Sequence, residues 1–293
     1  MPDKINLIYL MGAGRSGTTA LATFLGGHPD IETIGEMHQF FDHLEQNKTC
    51  SCGKQLTNCS YWSQIIEKLP QNYIENASEL NEICKEFEYH SSIPKHIWGV
   101  NNTRFLKYSE IQNIIFSVLK ESINSSYYLD SAKYIGRHIS LRKNRNISVK
   151  TIYVIRDVRG VINSFSKKVQ SSRHPLSAVF YYVLVNLTAE CIYQFSAKDT
   201  ILKIRYEDFI KQPETTLKEI GNFLNLDMKY VSEAINQNQA FSIGHIIGGN
   251  RLRKNGKIKL NPDISWKNNQ TRIQQIFYYI IALPIMLINR YKL

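Results

Sequence analysis

Eight consecutive residues, Gly12 to Thr19 (GAGRSGTT), hold three glycines, one arginine and three hydroxyl side chains. Glycines let backbone N–H groups converge on a bound anion, and hydroxyls and a guanidinium add donors to the same point. Gly12 and Gly17 stand five apart, as in the phosphate loop of ATP- and GTP-binding proteins, but Thr18 occupies the position where that motif requires lysine. The positive charge sits inside the loop, at Arg15. Arg15, Ser16, Gly17, Thr18 and Thr19 are thus candidates for holding a phosphate-type group other than that of an NTP. The plainer alternative is a glycine-rich turn that only joins two elements.

Further groups could share that work. Arg156 and Ser164 lie two helical turns apart and could grip one phosphate together. The stretch Gly244 to Leu260 (GHIIGGNRLRKNGKIKL) carries four glycines, two arginines and three lysines, a composition suited to anion binding, with Asn250, Arg251 and Arg253 foremost. Glu36, in Gly35-Glu36-Met37-His38, is a candidate general base, and Asp130 and Lys133 place charge in YLDSAK. Cys50, Cys52 and Cys59 cluster in CSCGKQLTNC. Three thiolates could ligate zinc, but a tetrahedral site wants four ligands and no fourth lies nearby in sequence. A redox bridge is the other sharp reading, and a purely structural role is the one favoured over both.

These residues need particular elements to position them. Ile5 to Met11 is apolar without helical period and ends at a glycine, which predicts a strand buried on both faces. Thr18 to Gly26 then reads as a helix, so the glycine loop joins strand to helix. Short strands are expected at Ile31–Ile34, Tyr127–Leu129, Thr151–Ile155 and Thr200–Ile204, each closed by polar residues, with Arg205-Tyr206-Glu207-Asp208 after the last. Asp157 can cap a helix over Val158–Lys168. Tyr134–Arg142, Glu214–Leu224 and Lys229–Asn236 read as further helices, and Pro175–Phe195 as a long one, apolar almost all round and expected to be buried. Residues 40 to 120 break the alternation with helical patterns at Ser63–Leu69, Ser78–Glu88 and Ser109–Ser122, and read as a helical insertion that covers the site and shapes an acceptor pocket. The expected fold is α/β, a phosphate-loop type of central parallel sheet of four or five strands flanked by helices, in a single domain over 1–293.

Composition bounds the partners. The 293 residues carry a net charge of +11, from 36 Lys and Arg against 25 Asp and Glu. Such an excess favours polyanionic ligands, acidic acceptors, nucleic acid or an anionic membrane surface. Five cysteines do not suggest a disulfide framework. The short apolar start runs straight into the glycine loop with no cleavage site, so no signal peptide is expected and the cytoplasm is the expected location. No stretch reads as a transmembrane helix. Phe277–Ile288 contains Pro284 and reads as a buried terminal helix, with peripheral membrane contact left open.

Taken in order, GAGRSGTTALATFLGGHPDIETIGE, YLDSAK, YVIRDVRGVINSFSKK, IRYEDF and GGNRLR…IKLNPDISW resemble the sulfotransferases that use 3′-phosphoadenosine 5′-phosphosulfate (PAPS), and more closely their carbohydrate and tyrosylprotein branches. The likeness spans nearly the whole chain. It implies that Arg15–Thr19 hold the 5′-phosphosulfate, that Arg156 and Ser164 hold the 3′-phosphate, and that Tyr206 with Asn250–Arg253 completes the nucleotide site. It also implies Glu36 as the base and Lys133 beside the transferring group. The histidine base of the phenol-sulfating branch has no clear counterpart, although His38 lies two residues from Glu36.

The residues fit that chemistry independently. Sulfuryl transfer moves a charged group in line between two oxygens, so positioning and charge stabilisation dominate. Arg15, backbone N–H groups and Lys133 can meet the charge on the leaving oxygen, and a carboxylate can take the acceptor's proton. No acidic metal site accompanies the loop, so no metal, and no magnesium in particular, is expected. A P-loop kinase acting on a small-molecule hydroxyl is the alternative, against which stand Thr18 and the otherwise idle Arg156 and Ser164. A nucleic-acid binder rests on the net charge alone and leaves Glu36 and the loop without purpose, so no nucleic-acid partner is expected. A sugar hydroxyl is the acceptor that the resemblance favours.

Overall fold

The strand β1 (Ile5–Met11) forms where seven mostly apolar residues end at Gly12. Leu7, Tyr9 and Met11 enter one core while Ile8 and Leu10 enter another, all of them fully buried. Strict alternation with both faces apolar is what a strand covered on both sides requires. Each such side chain contributes about 1.5–3 kcal/mol of transfer free energy. The computed structural model describes residues 4–99, 102–167, 173–249, 253 and 255–293.

Around β1 lie β2 (Ile31–Gly35), β3 (Tyr127–Lys133), β4 (Ile147–Ile155) and β5 (Ile201–Arg205), in the order β2-β3-β1-β4-β5, all parallel. From β1 the chain passes to the edge strand β2, returns through β3 to fill the gap, and then adds β4 and β5 on the other side. The crevice beyond the carboxyl end of β1 is therefore the point where such sheets bind ligands. The first helix, Thr18–Leu25, packs on one face of the sheet. On the other lie Ile135–Lys143, Val158–Ser166 and Pro175–Phe195. A small antiparallel pair, β6 (Phe241–Ser242) and β7 (Lys257–Ile258), brackets the basic loop.

Between β2 and β3 the chain is helical, with the longest pieces at Ala77–Glu88 and Asn102–Ser122. A buried ionic cluster ties this segment to the sheet. Arg137, 1% exposed, donates through Nε to Asp130 Oδ2 at 2.7 Å, and through Nη1 to Glu88 Oε1 and to Gln112 Oε1. Tyr108 also donates to Glu88 Oε1, at 3.2 Å. Asp130, which the sequence sets beside Lys133 as a charge at the strand end, is thus a structural residue.

Several expected boundaries move. β3 continues to Lys133 and β4 begins at Ile147, because the polar residues that mark strand ends in the sequence still pair with β1. The Pro175–Phe195 helix is not buried all round. Ala178, Val179, Tyr182, Val185 and Ala189 face the core, whereas Phe180 and Leu184 are 64% and 67% exposed. Against the sequence reading, its 21 residues are long and apolar enough, by length and composition, to cross a membrane. The expected terminal helix is two shorter ones, Arg272–Ile281 and Leu283–Ile288, split where Pro284 interrupts the ladder, and their outer faces, including Ile280 and Leu287, are exposed.

Candidate active site

The glycine loop takes its shape from two close approaches. Gly12 has a φ of 146°, and a Cβ there would lie 2.4 Å from the carbonyl oxygen of Val154 in β4. At Gly17, φ is 93° and a Cβ would strike the Tyr206 ring at 2.4 Å. Only glycine fits either place. Arg15 also adopts a left-handed conformation, with φ of 71°, and its guanidinium lies 5.5 Å from the centre of the Phe165 ring. The Tyr181 hydroxyl accepts from Gly14 N at 3.0 Å and so braces the loop. Ser16 is wholly buried, and its Oγ has no hydrogen-bond partner among the described residues. Gly17 caps the first helix with no side-chain cap, which leaves the first-turn N–H groups of Thr18 and Thr19 directed at the loop.

Arg156 follows the last residue of β4 and is 5% exposed. It donates to the carbonyl of Arg15 at 3.3 Å and to that of Asp263 at 3.1 Å, and its guanidinium stacks 4.4 Å from the Tyr206 ring centre. Asp157 caps the Val158–Ser166 helix through Arg159 N at 2.8 Å. That helix carries Ser164 into the cavity that Arg156 and Tyr206 line. The cavity measures about 570 Å³, and Lys167, Lys257 and Lys259 add positive charge to its wall. The Asp263 carboxylate already sits among the cations, 3.4 Å from both Arg156 Nη2 and Lys167 Nζ. Burial would raise its pKa. The Ser265 hydroxyl, Arg156 and Lys167 outweigh burial and hold it down at about 2.

A second cavity, of about 300 Å³, shares Arg15 and Gly17 with the first and extends to Glu36 and Lys133. Glu36 stands directly after β2. Its N–H donates to the Ile247 carbonyl at 2.7 Å and its Oε2 accepts from Gln39 Nε2 at 2.8 Å. Lys133 donates to Glu36 Oε1. The register explains the aim of Lys133. Tyr9 pairs with Asp130 but Met11 with Lys133, so β3 carries one extra residue there, and Lys133 takes a φ of 73°. His38, His90, Tyr134, Tyr181 and Arg173 complete this wall. His38 and His90 are uncharged at neutral pH: burial first, then neighbouring cations, lowers both, His90 to about 4.

The fold therefore gathers Arg15, Gly17, Thr18, Thr19, Glu36 and Lys133 at one cavity, and Arg15, Gly17, Arg156, Ser164 and Tyr206 at the other. Ser16, fully buried, lines neither cavity. Arg253 donates to the Gly248 carbonyl at 3.2 Å and lines neither cavity. Asn250 and Arg251 lie outside the described residues. The sequence reading missed Tyr181, Arg173, His90 and Asp263. Tyr181 sits in an apolar helical run that reads as core, and nothing local marks His90. Lys257 and Lys259 fall inside the basic stretch and were legible there as composition, not as individuals.

The profile described as the Sulfotransferase family matches residues 8–230. Among solved structures, the sulfotransferase domain from the curacin biosynthetic pathway is similar with a TM-score of 0.57 at 17% identity, covering 99% of each chain. The sulfotransferase domain of the Synechococcus PCC 7002 olefin synthase gives 0.56 at 18% identity, covering 100% of this chain and 97% of its own. The mouse sulfotransferase SULT7A1, complexed with PAP, gives 0.50 at 14%, covering 96% and 84%. No curated protein matches the chain. The chain belongs to the sulfotransferase family.

Proposed function

We propose that this sulfotransferase moves the sulfuryl group of PAPS to an acceptor hydroxyl, most suitably on a carbohydrate or glycoconjugate, with Glu36 as the base. One observation carries the reading: a cation-walled cavity and a cavity holding a carboxylate share Arg15 and Gly17, so a donor and an acceptor would meet at the glycine loop. The glycine cradle and the cations of the shared wall suit a tetrahedral anion. The Asp263 carboxylate held between Arg156 and Lys167 marks where a 3′-phosphate would compete.

PAPS, when bound, supplies an electrophilic sulfuryl group and a leaving phosphate. The work of the chain is then fourfold. Arg156, Ser164 and Lys167 hold the 3′ end, with the Tyr206 ring fixing the plane of Arg156. The N–H groups of Thr18 and Thr19, with Arg15, orient the 5′ end and stabilise charge that grows on the leaving oxygen. Lys133, which donates to Glu36 Oε1, would neutralise charge on the transferring group. Glu36 takes the acceptor's proton. Aromatic rings at Tyr134, Tyr181 and Phe165, with polar Gln39 and His90, give the acceptor cavity both faces for stacking and groups for hydrogen bonding, which suits a sugar.

Calorimetry with 3′,5′-adenosine bisphosphate and no Mg²⁺ tests the reading, with AMP and ATP as controls. The bisphosphate is expected to bind at least tenfold more tightly than AMP. Transfer from labelled PAPS to a panel of glycosides, peptides and alcohols then identifies the acceptor class. Tighter binding of ATP with Mg²⁺ would favour a kinase and remove the role given to Glu36.

A further inference from the structure

On the sequence no fourth ligand accompanies the three clustered cysteines. The fold supplies one, His245, from 186 residues beyond Cys59. We propose that Cys50, Cys52, Cys59 and His245 form a closed structural zinc site that fastens the 50–59 loop to the 244–249 loop behind Glu36. This departs from the expectation of a chain without metal, and it does not depend on the reading of the transfer site.

The four ligand atoms all lie within 4.8 Å of one another. A tetrahedral ion with Zn–S of about 2.3 Å and Zn–N of about 2.1 Å sets its sulfurs about 3.8 Å apart and each sulfur about 3.6 Å from the nitrogen. Cys52 Sγ and Cys59 Sγ are 3.7 Å apart, while His245 Nδ1 lies 3.2 Å from Cys59 Sγ and 3.9 Å from Cys50 Sγ. These three edges are within a few tenths of an ångström of the required lengths, and the other three are no longer than 4.8 Å. Three thiolates and an imidazole are a zinc donor set, and four protein ligands leave no open position for catalysis.

The surroundings hold the ligands in place. The His245 ring stacks on Tyr61 with centroids 5.5 Å apart and planes 3° apart, and its carbonyl accepts from Trp62 Nε1 at 2.9 Å. Gly53, at a φ of 86°, turns the chain so that its N–H reaches the Cys50 carbonyl at 3.0 Å. The N–H groups of Cys52 and Lys54 point at the sulfurs of Cys50 and Cys52, as outer partners of metal thiolates do. Ser51 stitches the two loops, donating to Gly244 O at 2.6 Å and accepting from Ile246 N at 2.9 Å. Two residues past His245, Ile247 accepts from Glu36 N. On binding, the three thiols lose their protons to solvent and no electron moves.

The full-length protein, purified without chelator, is expected to carry close to one zinc per chain by inductively coupled plasma mass spectrometry. Cobalt(II) exchanged for it should show the visible absorption of a tetrahedral thiolate site. Cys59→Ser and His245→Ala should lose the metal, while Cys191→Ser, at an exposed cysteine outside the cluster, should keep it. If the ligand variants do not fold, the wild-type stoichiometry and the cobalt spectrum still decide. Wild-type protein without stoichiometric zinc, with a Cys52–Cys59 disulfide in its intact mass, or with iron or copper in its place, would overturn the proposal. Metal content is read without nucleotide or acceptor, so its failure is distinct from failure of the sulfotransferase mechanism.

Discussion

Lys133 reaches Glu36 from the adjacent strand, and it does so from a left-handed backbone position created by an extra residue in β3. Without that extra residue the strand would pair with β1 in register throughout and its side chains would keep simple alternation. The bulge breaks the alternation at the carboxyl edge of the sheet and brings an ammonium to a carboxylate that is 7% exposed. A like arrangement elsewhere in a core would be a structural ion pair. Here it lines a cavity with Arg15 and the N-terminus of the first helix.

Glu36→Gln is expected to reduce sulfuryl transfer about 10²–10⁴-fold, while leaving the affinity for 3′,5′-adenosine bisphosphate within about twofold, because Glu36 is absent from the cavity of Arg156. Lys133→Met should lower the rate as well. Rates from labelled PAPS, with calorimetry of the bisphosphate on the same proteins, separate the two effects. Equal rates in Glu36→Gln and wild type would remove the base assignment.

Arg156→Ala should weaken bisphosphate binding by about 10- to 150-fold, the loss of roughly 1.5–3 kcal/mol from a hydrogen bond to a charged group. Asp263→Asn should act in the opposite direction. Its carboxylate, ionised at neutral pH, neutralises Arg156 and Lys167 in the absence of ligand. Binding several-fold tighter than wild type is the expected outcome in calorimetry at low salt. A weaker one would make Asp263 a support of Arg156 and not a competitor of the phosphate.

Much of this was legible in the sequence where chemistry and local geometry coincide. Gly12, Gly17 and Arg15 reveal the loop because glycine spacing is a backbone requirement, and β1 reveals itself because both of its faces are apolar. Glu36 was legible from its place just past a strand. The insertion was visible only as helical periodicity, because what fixes it is the burial of Arg137 between Asp130 and Glu88, contacts spanning 7 and 49 residues. His245 carries no sequence signal toward Cys59 for the same reason. Pro175–Phe195 misleads because its sequence is apolar on both sides while the sheet covers one.

Arg137 therefore offers a direct test of how the helical segment is held. Arg137→Ala leaves Asp130 and Glu88, each at most 1% exposed, as buried acids without their cation. A loss of about 3–5 kcal/mol is expected, read as a drop in melting temperature on the order of 10 °C. Urea midpoints for the same variant check the value. A change within about 1 kcal/mol would mean that the two acids accept protons at little cost.

Three buried imidazoles should make acid weaken the fold, while buried Glu88, raised to about 7 chiefly by burial, acts in the opposite direction. Burial holds His138 neutral, with a pKa lowered to about 3 and Arg142 adding to the effect, and lowers His43 and His90 to about 4. In the unfolded chain each regains a pKa near 6.5. Between about 4 and 6.5 these three imidazoles bind more protons in the unfolded chain than in the folded one, against Glu88 alone doing the reverse, so the balance of these groups makes stability rise with pH across that window. At about 1.4 kcal/mol per pH unit, His138 alone accounts for roughly 3.5 kcal/mol of loss at the acid end of that window. Urea unfolding at pH 7, 6, 5 and 4.5 should show midpoints that fall progressively. The slope should lessen in His138→Gln, which cannot take up that proton and can still hydrogen-bond to Thr151, the partner of His138 Nδ1 at 3.2 Å. Midpoints that stay level from pH 7 to 4.5 would show that the buried imidazoles reach water before the chain unfolds.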